Sequence, residues 1–275
     1  MGLFFNYNKP GPGIEKDAPK KKGMFLYFEL VWRKLGKLFL SNMLYMLVSL
    51  PVLLVYHFFA FYTLSALLPK EIMESGVVFS QAVLLITVIM AILWGTGPVS
   101  CGYTFLLRNF AREEHVWMTS DFFEHIKKNF KQSLIIFIID IIVLVSGTNA
   151  IYFYWSMSQK IPALEYVSYV MAGMMLIYTF MHFYMYEFLV TFKVSVKDVY
   201  KNSLIMAFGA LPMNIFLTAF VLVVTYLAFS CLTPIAILLL AGVCWVSFMR
   251  FPIDFYAARI IKRQLIDAKG EESDQ

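Results

Sequence analysis

Polar and apolar residues are segregated into long blocks along this chain. Residues 1–23 are polar, six apolar runs follow at 38–68, 77–107, 134–157, 166–192, 204–231 and 234–256, and a polar tail covers 266–275. The hydrocarbon core of a bilayer is about 30 Å thick and a helix rises about 1.5 Å per residue, so about 20 apolar residues cross it. Backbone groups in lipid must pair within a helix or a closed barrel. Barrel strands are shorter and alternate apolar with polar, which these runs do not. The pattern predicts an all-α polytopic membrane helix bundle of about six transmembrane helices, with residues 24–265 as the membrane domain. The first two runs are too long for one straight span. Pro51 divides one and Gly97-Pro98 the other, and a proline within a helix removes a hydrogen bond and bends the axis. Each run is read as one long bent helix or a span with a partly buried extension.

Composition agrees: 60% of the residues are hydrophobic and 15% charged, against about 45–50% and about 25% in soluble domains. Charge then sets the topology. Of the 23 Lys and Arg, only Lys70 and Lys160 fall in the loops of one side. Basic loops stay in the cytoplasm, so both termini are expected there and the number of spans is even. The expected location is a plasma membrane, crossed several times. The leader has no apolar core near its start, so no cleavable signal peptide is expected, and Asn6 stands where a myristoylation signal needs Ser or Thr. The net charge of +5 is spread along the inner rim, as insertion alone requires, so no nucleic-acid partner is expected.

Two stretches echo each other: KKNFKQSLIIFI (127–138) and KDVYKNSLIMAF (197–208), with a looser version at WRKLGKLFLSNM (32–43). The simplest reading is three helical hairpins, each entered through a basic, aromatic-bearing collar. An amphipathic helix is expected over about 121–132. Asp121 caps it with Glu124 as capping-box partner, Phe122, Phe123, Ile126 and Phe130 share one face, and Lys127, Lys128 and Lys131 lie on the other. Such a helix rests on a bilayer with anionic headgroups or docks a cytoplasmic partner. Lys20–Lys22 precede a second amphipathic stretch, FLYFELVWRKLGKLF (25–39); each lysine near anionic headgroups contributes about 1 kcal/mol.

Ionisable residues inside a membrane are functional candidates by default. Asp140 lies about 10 Å into its helix, seven residues past Ser133. Glu187 lies at similar depth in another helix, with His182 five residues before it. In one reading Asp140 and Glu187 face a shared cavity and bind a cation, a proton or a polar solute. In the other, each hydrogen-bonds to a neighbouring helix, to Asn42 or Asn214, and fixes the bundle. His182 belongs to the same polar set and, like His57, is read first as a packing residue. Arg250 and Asp254, four apart, form an intrahelical ion pair near the inner surface. Cys101, Cys231 and Cys244 are isolated packing residues. WGTGPVSCG (94–102) suits close helix packing. No phosphate loop, HExxH or GxSxG is present, and neither a metal, a cofactor nor an enzymatic activity is expected.

The leader MGLFFNYNKPGPGIEKDAPKKKG with FLYFELVWRKLGKLFLSNMLY, and the segment GPVSCGYTFLLRNFAREEHVWMTSDFFEHIKKNFKQSL, resemble the YesL family, small integral membrane proteins of Gram-positive bacteria. The resemblance covers most of the chain and weakens after about residue 215. It implies no known activity and no assigned site residues. It implies a setting, because genes of that family often stand beside carbohydrate-uptake ABC transporters, sensor kinases and glycoside hydrolases. The expected role is accessory or regulatory, with an ABC sugar-transport complex or a sensor kinase as partner. The alternative is a transporter or channel. The chain lacks the cytoplasmic loop with a central Gly by which an ABC permease grips its ATPase, so it is not expected to be the permease itself.

Overall fold

The computed structural model describes residues 23–263. The expectations for the polar leader and the tail lie outside the described residues. In chain order the helices are α1 (Gly23–Arg33), α2 (Leu35–Val48), α3 (Leu50–Leu67), α4 (Lys70–Glu74), α5 (Gly76–Leu93), α6 (Pro98–Ala111), α7 (Met118–Met157), α8 (Leu164–Thr191), α9 (Val196–Gly209), α10 (Leu211–Ser230), α11 (Pro234–Leu240) and α12 (Val246–Ile261). One π-helical turn, Ala241–Trp245, joins the last two. No strand occurs among the described residues. Six helices are long and apolar enough to cross a membrane: Leu50–Leu67, Gly76–Leu93, Met118–Met157, Ala163–Thr191, Leu211–Ser230 and Pro234–Ile261.

Both long apolar runs break where proline was expected to break them. In the first, α2 stops at Ser49 and α3 restarts with Pro51 in its first turn. Ser49 Oγ donates to the Tyr45 carbonyl at 2.6 Å and so tightens the hinge. The first run is therefore two helices meeting at a bend. In the second, residues 94–97 leave the helix altogether. Gly95 and Gly97 take φ of +76° and +62°, a region that costs an L-residue about 1–2 kcal/mol and glycine little. A Cβ on Gly97 would lie 2.9 Å from Phe137 Cβ on α7. Helix α6, which follows, is buried along its whole length apart from Phe105. It forms the axle of the bundle, with α1, α2, α7, α8 and α12 packed around it.

The 70-residue echo in the sequence is a repeat of buried register between α7 and the third rod, α9–α10. The looser stretch at 32–43 echoes 127–138 at an offset of 95 (127 − 32), and the first rod, α2–α3, shares the buried register at a different one. Leu38, Asn42, Tyr45 and Ser49 of the first rod are buried; so are Asn129, Ser133, Ile136 and Asp140 of α7, and Val199, Ser203, Met206 and Ala210 of the third rod. The offsets are 91 residues (129 − 38) and 70 residues (199 − 129), and the 4-3-4 spacing is one helix face. Leu50-Pro51 and Leu211-Pro212 open the second halves of rods one and three. In α7 the matching position holds Ile142, so no hydrogen bond is lost and the helix runs unbroken for 40 residues. Asp140 thus occupies the register at which the other two rods bend.

The expected separate surface helix over 121–132 is corrected by this continuity. Those residues are the first turns of α7, which begins at Met118. Asp121 sits inside the first turn, and its Oδ2 accepts the Trp117 N–H at 2.8 Å, so the capping box with Glu124 does not form. Phe122, expected on a lipid-facing stripe, is fully buried because the absent side chain of Gly102 lets α6 and α7 close onto each other there. The face turned to the core is Phe122, His125, Asn129 and Ser133, while Phe123, Phe130, Lys127, Lys128 and Lys131 are exposed and Ile126 is half-buried.

Candidate functional site in the buried polar core

The charged residues of the bundle interior form three clusters, each built across helices. The first centres on Asp140. Its Oδ1 accepts the Tyr178 hydroxyl of α8 at 2.7 Å and lies 3.1 Å from His182 Nε2. The angle at the histidine is poor for a hydrogen bond, so this contact is a close electrostatic approach. Tyr178 also meets the Tyr200 hydroxyl of α9 at 3.1 Å. The His182 ring stacks on Trp94, with centroids 5.0 Å apart, and the Trp94 indole N–H donates to Thr179 Oγ1 at 3.0 Å. One carboxylate therefore ties α7 to α8 and α9 beside the α5–α6 break. Asp140 Oδ2, His182 Nδ1 and the Tyr186 hydroxyl are buried without a hydrogen-bond partner.

The second cluster is Arg250 and Asp254 of α12, with Nε 3.1 Å from Oδ1. The expected pair forms, and it does more than link one helical turn. Arg250 Nη1 donates to the Ile92 carbonyl at 2.8 Å and Nη2 approaches the His182 carbonyl at 3.4 Å. Carbonyls at the end of a helix have no intrahelical partner and carry its negative dipole end. A guanidinium there caps α5 where Gly95 ends it, with Asp254 balancing the charge.

The third cluster holds Glu187. Its Oε1 lies 3.5 Å from Arg112 at the C-terminal cap of α6. One turn earlier on α6, Arg108 donates to the Val190 carbonyl at 2.9 Å and to Thr191 Oγ1 at 3.0 Å, capping α8. The charge pattern reads Arg108 and Arg112 as part of the basic loop between the second and third apolar runs, and so misses that Arg108 is buried and Arg112 half-buried in the bundle. The available signal was the apolar stretch GYTFLLRNFA (102–111), which leaves no room for a loop at Arg108.

Asp140 and Glu187 therefore have different neighbours: Asp140 accepts the Tyr178 hydroxyl and lies beside His182, whereas Glu187 lies beside Arg112. Five residues separate His182 from Glu187, a turn of about 140° around α8 at 3.6 residues per turn. The two acids thus look toward different helices. A cleft of about 260 Å³ between α3 and α7 and a groove of about 560 Å³ along α8, α9 and α10 are not lined by Asp140, His182 or Glu187. The asparagines reach neither acid. Asn42 Nδ2 donates to the carbonyls of Ala241 and Gly242, each at 2.8 Å, and Asn42 Oδ1 accepts the Ser247 N–H at 2.8 Å. A π-turn leaves backbone groups without their usual partners, and Asn42 supplies them from α2. Asn214 accepts the Tyr184 hydroxyl at 2.7 Å and donates to the Ala207 carbonyl at 3.0 Å, beside the break at Pro212.

Six apolar spans around this polar core define a multi-pass integral membrane protein of all-α architecture. Comparison with protein-family models, with curated proteins and with solved structures finds no match.

Proposed function

We propose that the chain is an accessory or regulatory membrane protein that works by contact with other proteins, and that the YesL-like sequence of its leader and middle segment marks a setting of carbohydrate uptake or sensing. The partner is an ABC sugar-transport complex or a sensor kinase, the membrane is the bacterial plasma membrane, and both termini are cytoplasmic. No enzymatic activity is part of this reading. One observation carries the preference for contact over conduction. Each interior charge is held by groups of the bundle, Arg250 by Asp254 and the Ile92 carbonyl, Glu187 by Arg112, and Asp140 by Tyr178 and His182. The exposed stripe of Phe123, Phe130, Lys127, Lys128 and Lys131 at the start of α7 is the surface on which the partner docks. Co-purification from the native membrane tests this. Recovery of a permease or kinase, lost in Phe123→Ser/Phe130→Ser/Lys127→Glu, is expected. An unchanged set of captured proteins would refute it.

A second reading rests on the partnerless Asp140 Oδ2, His182 Nδ1 and Tyr186 hydroxyl. Buried polar atoms in lipid are costly, at about 1–3 kcal/mol each, and three beside one helix break fit a bound polar solute, cation or proton in a transporter. Solute flux in liposomes by the purified protein, abolished by Asp140→Asn, would establish it and displace the first reading.

A further inference from the structure

Helix α1 is apolar on two faces, and the bundle uses only one of them. Leu26 and Leu30 are buried against the core. Tyr27 stacks on Phe251 of α12, with centroids 5.6 Å apart, and meets Phe255 edge-on. On the outward side Met24, Phe25, Phe28 and Trp32 are exposed at 71%, 78%, 61% and 81%. At 100° per residue these four fall within an arc of about 100°, a continuous stripe. Glu29 and Arg33 run along one flank, linked to each other, and Arg33 also pairs with Glu113 beyond α6. Helix α2 carries an exposed apolar row of its own, Leu40, Met43 and Leu47 at i, i+3 and i+7.

Charge marks one end of this stripe. Arg33, Lys34 and Lys37 crowd the turn from α1 to α2. The Lys34 ammonium is pushed below its ordinary pKa, first by burial and then by repulsion from Lys37 and Arg33. Such a crowd of cations beside a row of aromatic side chains is relieved by a phosphate whose acyl chains cover the row. An anionic phospholipid supplies both parts in one molecule, a charge for Lys34 and Lys37 and an apolar surface for the aromatic row.

We propose that α1 lies at the headgroup level of the bilayer and selects anionic phospholipid, with the phosphate held by Lys34 and Lys37 and the acyl chains laid on Met24, Phe25, Phe28 and Trp32. The role that sequence periodicity assigned to residues 121–132 thereby falls to α1. Amphipathic helices bind such surfaces through apolar area and cationic attraction together, and each lysine near an anionic surface favours binding about fivefold.

The full chain, reconstituted in phosphatidylcholine bilayers, tests this with brominated lipid as quencher. The Trp32 contribution is read as the difference between the wild type and Trp32→Phe. Brominated phosphatidylglycerol, diluted into phosphatidylcholine, is expected to quench that contribution several-fold more efficiently than brominated phosphatidylcholine at the same mole fraction. In Lys34→Gln/Lys37→Gln the ratio is expected to fall to about one, with bromolipid still quenching Trp32. Equal quenching by both lipids in the wild type would overturn the selectivity. A Trp32 contribution that neither bromolipid quenches would mean that protein covers the stripe, and would overturn the placement. Loss of the preference on adding millimolar inorganic phosphate would assign the cationic turn to a soluble anion and overturn the lipid.

Discussion

Replacing Arg250 by methionine removes the side-chain partner that the buried Asp254 carboxylate has among the described residues and the donor to the Ile92 and His182 carbonyls. Methionine fills much of the same space, so the loss is electrostatic more than steric. Breaking a buried ion pair by removing one partner costs about 3–5 kcal/mol, because the surviving charge stays out of water. The Ile92 carbonyl, orphaned at the end of α5, adds about 1–3 kcal/mol. Arg250→Met is therefore expected to lower stability by about 4–8 kcal/mol. Adding Asp254→Asn removes the stranded charge and is expected to restore at least about 2 kcal/mol, leaving mainly the carbonyl term. Equilibrium unfolding in mixed micelles of a mild detergent and sodium dodecyl sulfate measures all three proteins on one scale. A single variant within about 1 kcal/mol of wild type, or a double variant as unstable as the single, would refute the claim that Asp254 depends on Arg250.

Gly102→Ala is expected to cost about 1–3 kcal/mol by overpacking, since its Cβ would lie against the Phe122 carbonyl oxygen and 3.0 Å from Ile126 Cγ1. Gly173→Ala, at a helical position with nothing within 4 Å of the added Cβ, is expected to stabilise by up to about 1 kcal/mol; thermal unfolding of the pair in detergent checks both signs. Asn42→Leu strands the Ala241 and Gly242 carbonyls and the Ser247 N–H, and is expected to cost about 2–4 kcal/mol; hydrogen exchange at Ser247 should rise with it, and an unchanged exchange rate would remove Asn42 from its role at the π-turn. At α9, the Ser195 hydroxyl and backbone N–H hold Asp198 below the ordinary carboxylate range of about 3.8. A carboxylate with a lowered folded pKa stabilises above its unfolded value, and that support is lost as pH falls through the folded one. Amide exchange at the α9 N-terminus is therefore expected to accelerate below about pH 4 and to lose this step in Ser195→Ala.

The sequence by itself determined the class of structure and the number of spans. Runs of apolar residues near the length of a bilayer leave the backbone no choice but helix, and Pro51, Pro98 and Pro212 remove specific hydrogen bonds wherever the helices then pack. The repeat was legible for the same reason: Ser133 and Ser203 sit in matching local sequence, so their helices present matching faces. Partnership was decided only by the tertiary structure. Depth in the membrane can be counted from a helix end, and by that count Asp140 and Glu187 looked like a pair. The direction in which a side chain looks depends on rotation about the helix axis, and five residues along α8 turn Glu187 away from the helix that carries Asp140. Arg108 and Arg112 illustrate the same limit. Their charge placed them in a loop, because isolated arginines are expensive in lipid. Helix ends within the bundle offered them carbonyls and a carboxylate, which no local pattern announces. The two amphipathic stretches were equally eligible as surface helices from periodicity alone. Gly102 decided the first by letting α6 close over Phe122, which buried that one aromatic while Phe123 and Phe130 stayed exposed; on α1 the bundle leaves Met24, Phe25, Phe28 and Trp32 all uncovered.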